Sequence, residues 1–379
     1  MRVLTIFGTR PEAIKLAPVI KELAAHEGLI ASRVCVTGQH RQILDQVLDL
    51  FSIKPDIDLD TMRPGQDLTG IMVSALLGLK DVLRAERPDI VLVQGDTATC
   101  FAAALSAYYE QIPVGHVEAG LRTGDLYSPF PEEGNRVMTA RLARWHFAPT
   151  EEARRNLLAE GIKDDAIRVT GNTVIDALIH VRGTLPALAP ERLSAALGKA
   201  AYERLLAAKE IVLLTAHRRE NFGPGLATIF GAVRDLAKAR PASLIAFPVH
   251  PNPNVQEPAA SILGGLGNVL LLPPLDYQIF VWLMNRSALI MTDSGGIQEE
   301  APSLGKPVLV LREVSERLEA IEQGSAALVG AKSAKITQEA ARILDDAQNK
   351  LNDLIEKNPF GDGLASKRIV NALIAALRN

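Results

Sequence analysis

The stretch "TDSGGIQEEAPSLGKPV", Thr292 to Val308, decides the fold. An apolar run, "SALIMT", stops at a hydroxyl and two glycines and gives way to a helix-like segment carrying two glutamates. A buried strand turning directly into a helix is the repeating unit of a parallel α/β sheet. The start of that helix is bare backbone, with unpaired N–H donors at the positive end of the helix dipole. Ser294, Gly295 and Gly296 therefore read as a phosphate site, since glycines without a Cβ let an anion come close.

The same rhythm runs through the chain. "VLTIF", "ASRVCV", "DIVLVQ", "PVGHVE" and "WHFAPT" each precede a helical pattern. A second set, "EIVLLTAH", "SLIAFPVH", "NVLLLPP", "SALIMTD", "KPVLVLR" and "AALVG", begins after about residue 172. The fold class is therefore α/β, as two Rossmann-like, doubly wound domains, 1–171 and 172–360, joined through "VTGNTVIDALIH" and "GTLPALAPERLSAAL". Ligands of open α/β sheets gather at the carboxyl ends of the strands, so two such sheets facing each other predict a cleft walled by strand-end loops.

With 379 residues and 47% hydrophobic content the chain has enough apolar mass for two packed cores. A formal charge of -3 and a pI near 6.2 provide no basic field for nucleic acid, which points to a small ligand. The opening "MRVLTIFGTRPE" enters a strand directly, without a signal peptide's apolar core, and no apolar run reaches membrane-spanning length. Cys35 and Cys100 sit among apolar neighbours and read as buried thiols, which places the protein in the cytoplasm.

The chemically rich residues cluster at strand ends. In "FGTRPEAIK", Thr9 and Pro11 suit a helix start, and Arg10 and Lys15 read as phosphate cations or, alternatively, as a solvated turn. The G-x-G-x-x-G fingerprint of a dinucleotide site is missing there. Asp96 in "LVQGDTATC" stands at a sheet edge, where capping of the next helix would also explain it. In "VGHVEAGLRTGD", His116 and Glu118 are two apart and should share one face of a strand. "PFPEEGNR" adds Glu132, Glu133 and Arg136 at another helix start.

The second half offers His217, Arg218 and Arg219 in "LLTAHRRENFG" and His250 in "FPVHPNPNV". Strand-end histidines also serve as structural hydrogen-bonders. No H-E-x-x-H or cysteine pair is present, and the "DLD" at Asp58 reads as a polar loop, so no metal site is expected. Ser294 lacks the preceding glycine of a nucleophile elbow. Tyr277 and Phe280 in "PLDYQIFVWLM" suit either core packing or stacking on a base.

Together "GTRPEAIK", "GDT", "HVEAGLRTGD", "PEEGNR", "HRREN", "PVHPNPNV", "TDSGGIQEEAPSLGKPVLVLR" and "NPFGDG" resemble, in order and along nearly the whole chain, the non-hydrolysing UDP-N-acetylglucosamine 2-epimerases. The resemblance implies the glycosyltransferase-B-like arrangement, with residues 361–379 crossing back onto the first domain. It implies an isomerase that interconverts UDP-GlcNAc and UDP-ManNAc by eliminating UDP to 2-acetamidoglucal and adding it back, supplying ManNAc for bacterial surface polysaccharides. It further implies a homodimer without NAD, metal or other cofactor.

By the same resemblance Asp96, Glu118, Glu132 and His217 look catalytic. Arg10, Lys15, Arg136, Phe280, Ser294, Gly295, Gly296, Glu300 and Arg317 look like UDP contacts, with Glu300 on the ribose hydroxyls. Gln39, His40, Gln42 and His250 resemble residues that hold an activating second UDP-GlcNAc in some members. Two positions depart from the pattern: Leu318 stands for a proline after Arg317, which bears on the shape of that loop, and Gly65 stands for a basic residue, which by itself implies weak or altered activation. The rivals are a 2-epimerase of a UDP-2,3-diacetamido sugar, a UDP-sugar glycosyltransferase, a bilobed binding protein and a hydrolase that releases free ManNAc.

Overall fold

The computed structural model describes residues 1–38, 41–61, 63, 65–313, 315, 317–346 and 358–376. The chain forms two compact units, Met1–Ala177 with Phe360–Asn379, and Leu178–Pro359.

The first unit holds a sheet of seven parallel strands: β1 (Arg2–Phe7), β2 (Ala31–Val36), β3 (Ile57–Asp58), β4 (Ile90–Gln94), β5 (Val114–Val117), β6 (Trp145–Ala148) and β7 (Ile167–Val169). Their order is β3-β2-β1-β4-β5-β6-β7. β4 is buried along its whole length, as expected of a central parallel strand with helices on both faces. The helix Arg10–Ala24 has Pro11 in its first turn and buries Ala13, Leu16, Ala17, Ile20 and Leu23, a stripe at helical spacing. Asp58 lies in β3, opposite Val36, and not in the polar loop expected from the sequence. A two-residue edge strand is too short to leave a periodic signal.

The second unit holds six parallel strands: β8 (Ile211–Thr215), β9 (Leu244–Pro248), β10 (Val269–Leu272), β11 (Leu289–Thr292), β12 (Val308–Val310) and β13 (Ala326–Leu328). Their order is β10-β9-β8-β11-β12-β13. Both sheets are thus doubly wound, reversing direction between β1 and β4 and between β8 and β11.

The return of the chain to the first unit is built from backbone contact. Asn172 N–H donates to Phe360 O at 2.6 Å. Gly171 and Gly361, with φ of 86° and 128°, pass so closely that a Cβ on Gly171 would lie 3.3 Å from Gly361 Cα. The last helix, Ala365–Ala376, packs on Arg10–Ala24, and its first-turn N–H groups at Ala365 and Ser366 donate to Asp176 at 3.2 and 2.8 Å. Cys35 and Cys100 are both buried free thiols, and burial pushes Cys35 up to about 12. Among the described residues no helix is long and apolar enough to cross a membrane.

Candidate active site

The first unit's chemistry sits where its strand order reverses. β1 runs out at Gly8 and Thr9, and β4 at Gly95, Asp96 and Thr97. Thr97, rather than Asp96, caps the helix Ala98–Tyr109, accepting the Cys100 N–H at 3.0 Å. Asp96 is thereby left for other work. The two loops are tied by Glu12, a fully buried carboxylate that accepts the N–H groups of Gly8 (3.1 Å) and Thr9 (2.8 Å) and the Thr97 hydroxyl (2.6 Å). Burial pushes the Glu12 carboxyl above its usual range against those hydrogen bonds. The T-x-x-E spacing of a capping box is the sequence signal for it.

Glu118 follows β5 with a φ of 64°, a left-handed conformation that costs a non-glycine residue on the order of 1 kcal/mol or more. Its Oε2 accepts Lys15 Nζ–H at 2.5 Å and Asn172 Nδ2–H at 2.8 Å. The expectation that His116 and Glu118 share a strand face is corrected, because β5 ends at Val117. His116 is instead fully buried and bonded through Nε2 to Gly95 O at 2.7 Å. Burial lowers its pKa to about 3, so the ring is neutral and its Nε2–H is the donor.

Asp96 Oδ2 accepts Arg136 Nη2–H at 2.6 Å, and its carbonyl accepts Asn135 Nδ2–H at 2.9 Å. Burial pushes its carboxyl up; Arg136 opposes this, and the carboxylates of Glu118 and Glu132 add to it. Glu132 is half-buried in the first turn of the helix Glu132–Leu142. Its neighbour Glu133 is buried and shapes the preceding loop, accepting Thr123 N–H (3.0 Å) and Gly124 N–H (3.1 Å), with Oε2 3.5 Å from Arg136 Nη1. Lys15 and Arg136, both read from sequence as UDP contacts, thus carry carboxylate partners inside this unit, while Arg10 is exposed at its helix start.

In the second unit β8 and β11 end side by side, Thr215 and Thr292 sharing a hydroxyl contact of 2.6 Å. Ser294 heads the helix Gly295–Ser303 without a side-chain capping bond, so the first-turn donors are not closed off by its hydroxyl. A Cβ on Gly295 would lie 2.7 Å from Arg317 Nη1, which shows how closely that guanidinium covers the helix start. Arg317 is buried and bonded through Nε–H to Glu299 at 2.7 Å, and its own N–H donates to Ser315 Oγ, which donates to Gln298. Gly296 faces Glu300, whose Oε2 would lie 3.8 Å from an added Cβ. Glu300 accepts the Tyr277 hydroxyl, and burial together with that carboxylate pushes the phenol well above its usual range. Phe280 is half-buried on the same helix as Tyr277.

The fully buried Asp293 binds the His217 loop. It accepts His217 N–H at 2.9 Å, Arg218 N–H at 2.8 Å and Asn221 Nδ2–H at 3.1 Å, and its Oδ1 lies 3.3 Å from His217 Nδ1. The His250 ring stacks on His217 with centroids 5.5 Å apart and planes 13° from parallel. Of the other effector-site candidates, Gln39, His40 and the side chain of Gln42 lie outside the described residues, as does the side chain of Leu318. Gly65 has a φ of 76°. Sequence reasoning passed over Asn172, Asp293 and Glu299, each of which holds a candidate residue in place, and over Glu12, which ties the loops that carry Arg10 and Asp96.

Residues 21–374 match the family model described as UDP-N-acetylglucosamine 2-epimerase. The chain is 56% identical, over 98% of each sequence, to the UDP-N-acetylglucosamine 2-epimerase of Salmonella typhimurium. The crystal structure of the Neisseria meningitidis UDP-GlcNAc 2-epimerase bound to UDP-GlcNAc superimposes with a TM-score of 0.91, at 49% identity and 100% coverage of both chains. The glycotransferase of kitacinnamycin, at 12% identity and a TM-score of 0.62 over 98% of this chain and 99% of its own, shares the fold alone.

Proposed function

The chain belongs to the UDP-N-acetylglucosamine 2-epimerase family, and from that premise we propose how its residues invert C2 of UDP-GlcNAc to give UDP-ManNAc. It is an isomerase of this nucleotide sugar. The C2 proton is too weakly acidic for direct removal. Breaking the C1–O bond to UDP first builds positive charge at C1, which acidifies C2; a carboxylate then takes the proton and leaves 2-acetamidoglucal. Return of UDP to C1 with protonation of C2 on the opposite face completes the inversion.

The observation that carries this reading is the set of carboxylates at the first unit's reversal point, held in unlike surroundings. Asp96 is pushed up by burial beside Arg136, Glu118 is held by Lys15 and Asn172, and Glu132 stands in the adjoining helix turn. Two proton transfers on opposite faces call for such differently tuned groups. The departing diphosphate is assigned to the Ser294–Gly296 helix start with Arg317, aided by Arg10 and His217, where fixed donors stabilise developing negative charge. Glu300 and Phe280 are assigned to the ribose and the base.

Proton NMR of UDP-GlcNAc with the purified protein in D2O tests the mechanism. Deuterium at C2 accompanying UDP-ManNAc supports it, whereas product that keeps its C2 proton refutes it. A homodimer is the proposed assembly, supported by the exposed Leu77, Tyr108 and Tyr109 on two adjoining helices of the first unit and checked by light scattering.

A further inference from the structure

We propose that Asp293 is a positioning residue that fixes the tautomer of His217, a role that rests on the assignment of His217 to the departing diphosphate. The carboxylate is fully buried and saturated on one side: Oδ2 accepts the N–H groups of His217 and Arg218 and the amide of Asn221, at 2.9, 2.8 and 3.1 Å. Oδ1 accepts His217 N–H at 3.1 Å and lies 3.3 Å from His217 Nδ1. A carboxylate is acceptor-only, so the ring must present Nδ1–H to it. Nε2 is then the nitrogen that takes and gives the proton, and the buried negative charge stabilises the imidazolium. A charged Nε2–H is the donor that a leaving phosphate oxygen needs. The ring plane is set from its other face by the His250 stack, at 13° from parallel.

Asp293→Asn inverts this logic while keeping the shape. Three donors crowd the Oδ2 position, so the asparagine carbonyl must turn there and its NH2 must face Nδ1. The ring is then forced to accept at Nδ1 and carry its proton on Nε2. Nitrogen-15 NMR of the full-length protein, with the His217 signal assigned from a His217→Asn sample, reads the tautomer directly. The expected result is Nδ1–H in the wild type, Nε2–H in Asp293→Asn, and turnover lowered about a hundredfold or more with KM little changed, as for a wrong-tautomer histidine elsewhere. A neutral wild-type ring with its proton on Nε2 and none on Nδ1 overturns the proposal even if the variant fails to fold. A variant with the switched tautomer and undiminished turnover overturns it too. Absence of epimerase activity in the wild type would instead defeat the functional reading, leaving the tautomer measurement to stand separately.

Discussion

Arg317→Met separates two things that Arg317 does. The guanidinium covers the start of the helix Gly295–Ser303 and bonds to Glu299, both side chains being buried, at 8% and 1% exposure. Removing the cation alone leaves the Glu299 carboxylate buried without it, a loss of about 3–5 kcal/mol in comparable buried pairs. In a folding unit of this size that lowers the melting temperature by about 6–20 °C. It also removes the proposed partner of the diphosphate, and a charge-assisted hydrogen bond is worth about 1.5–3 kcal/mol, or about ten- to a hundredfold in UDP affinity.

The double variant Arg317→Met/Glu299→Gln distinguishes the two effects. With the buried charge neutralised the desolvation penalty is relieved, and most of the stability should return. The phosphate contact should not. Calorimetric melting and titration with UDP are run on the wild type, both single variants and the double. Recovery of melting temperature with affinity still lost supports a direct contact between Arg317 and UDP. Recovery of both together would refute it and reduce Arg317 to a structural partner of Glu299.

Three further outcomes are expected. Glu118→Gln should keep UDP affinity while turnover and C2 deuterium exchange fall about a hundred- to ten-thousandfold, and unchanged exchange would remove Glu118 from the proton transfers. Arg10→Ala should weaken UDP binding in calorimetric titration; unaltered affinity would return this exposed side chain to the solvent-facing turn that its sequence also fits. His116, neutral in the fold with a pKa lowered from 6.5 to about 3, binds more protons when unfolded between those values, so its contribution is present above 6.5 and lost as pH falls toward 3. His116→Gln keeps a donor for the Gly95 carbonyl without titrating, and urea melts should show it losing less stability than the wild type between pH 6.5 and 4; parallel losses would refute the assignment.

The strands were legible because a central parallel strand is buried on both faces and reads as a continuous apolar run. β4, β8 and β11 are buried throughout, and all three stand out in the sequence. β3 and β7, two and three residues long at the sheet edge, do not. The helix start at Thr9 was legible from capping chemistry, whereas the capping reading offered for Asp96 belongs to its neighbour Thr97, an equal competitor by residue type until the backbone chooses.

Partnership was harder to read than position, because sequence reasoning pairs a charge with its own element whereas a doubly wound sheet pairs it with a loop from another strand. Lys15 sits in the second turn of its helix and looks like a phosphate cation, yet its ammonium meets Glu118, 103 residues away. Arg136 looks like a first-turn helper of Glu132 and Glu133, yet its shortest bond reaches back 40 residues to Asp96. Asp293 hides in "TDSGG" because the glycines and hydroxyl there already account for a phosphate site, while its carboxylate turns across the sheet to the loop after β8, 76 residues earlier. In each case the missing information is the order of the strand ends across the sheet, and the reversal that sets it is a property of the whole sheet. The residues proposed to touch substrate are therefore easier to find by pattern than the residues that hold them, and the holding residues are where substitutions should separate turnover from binding.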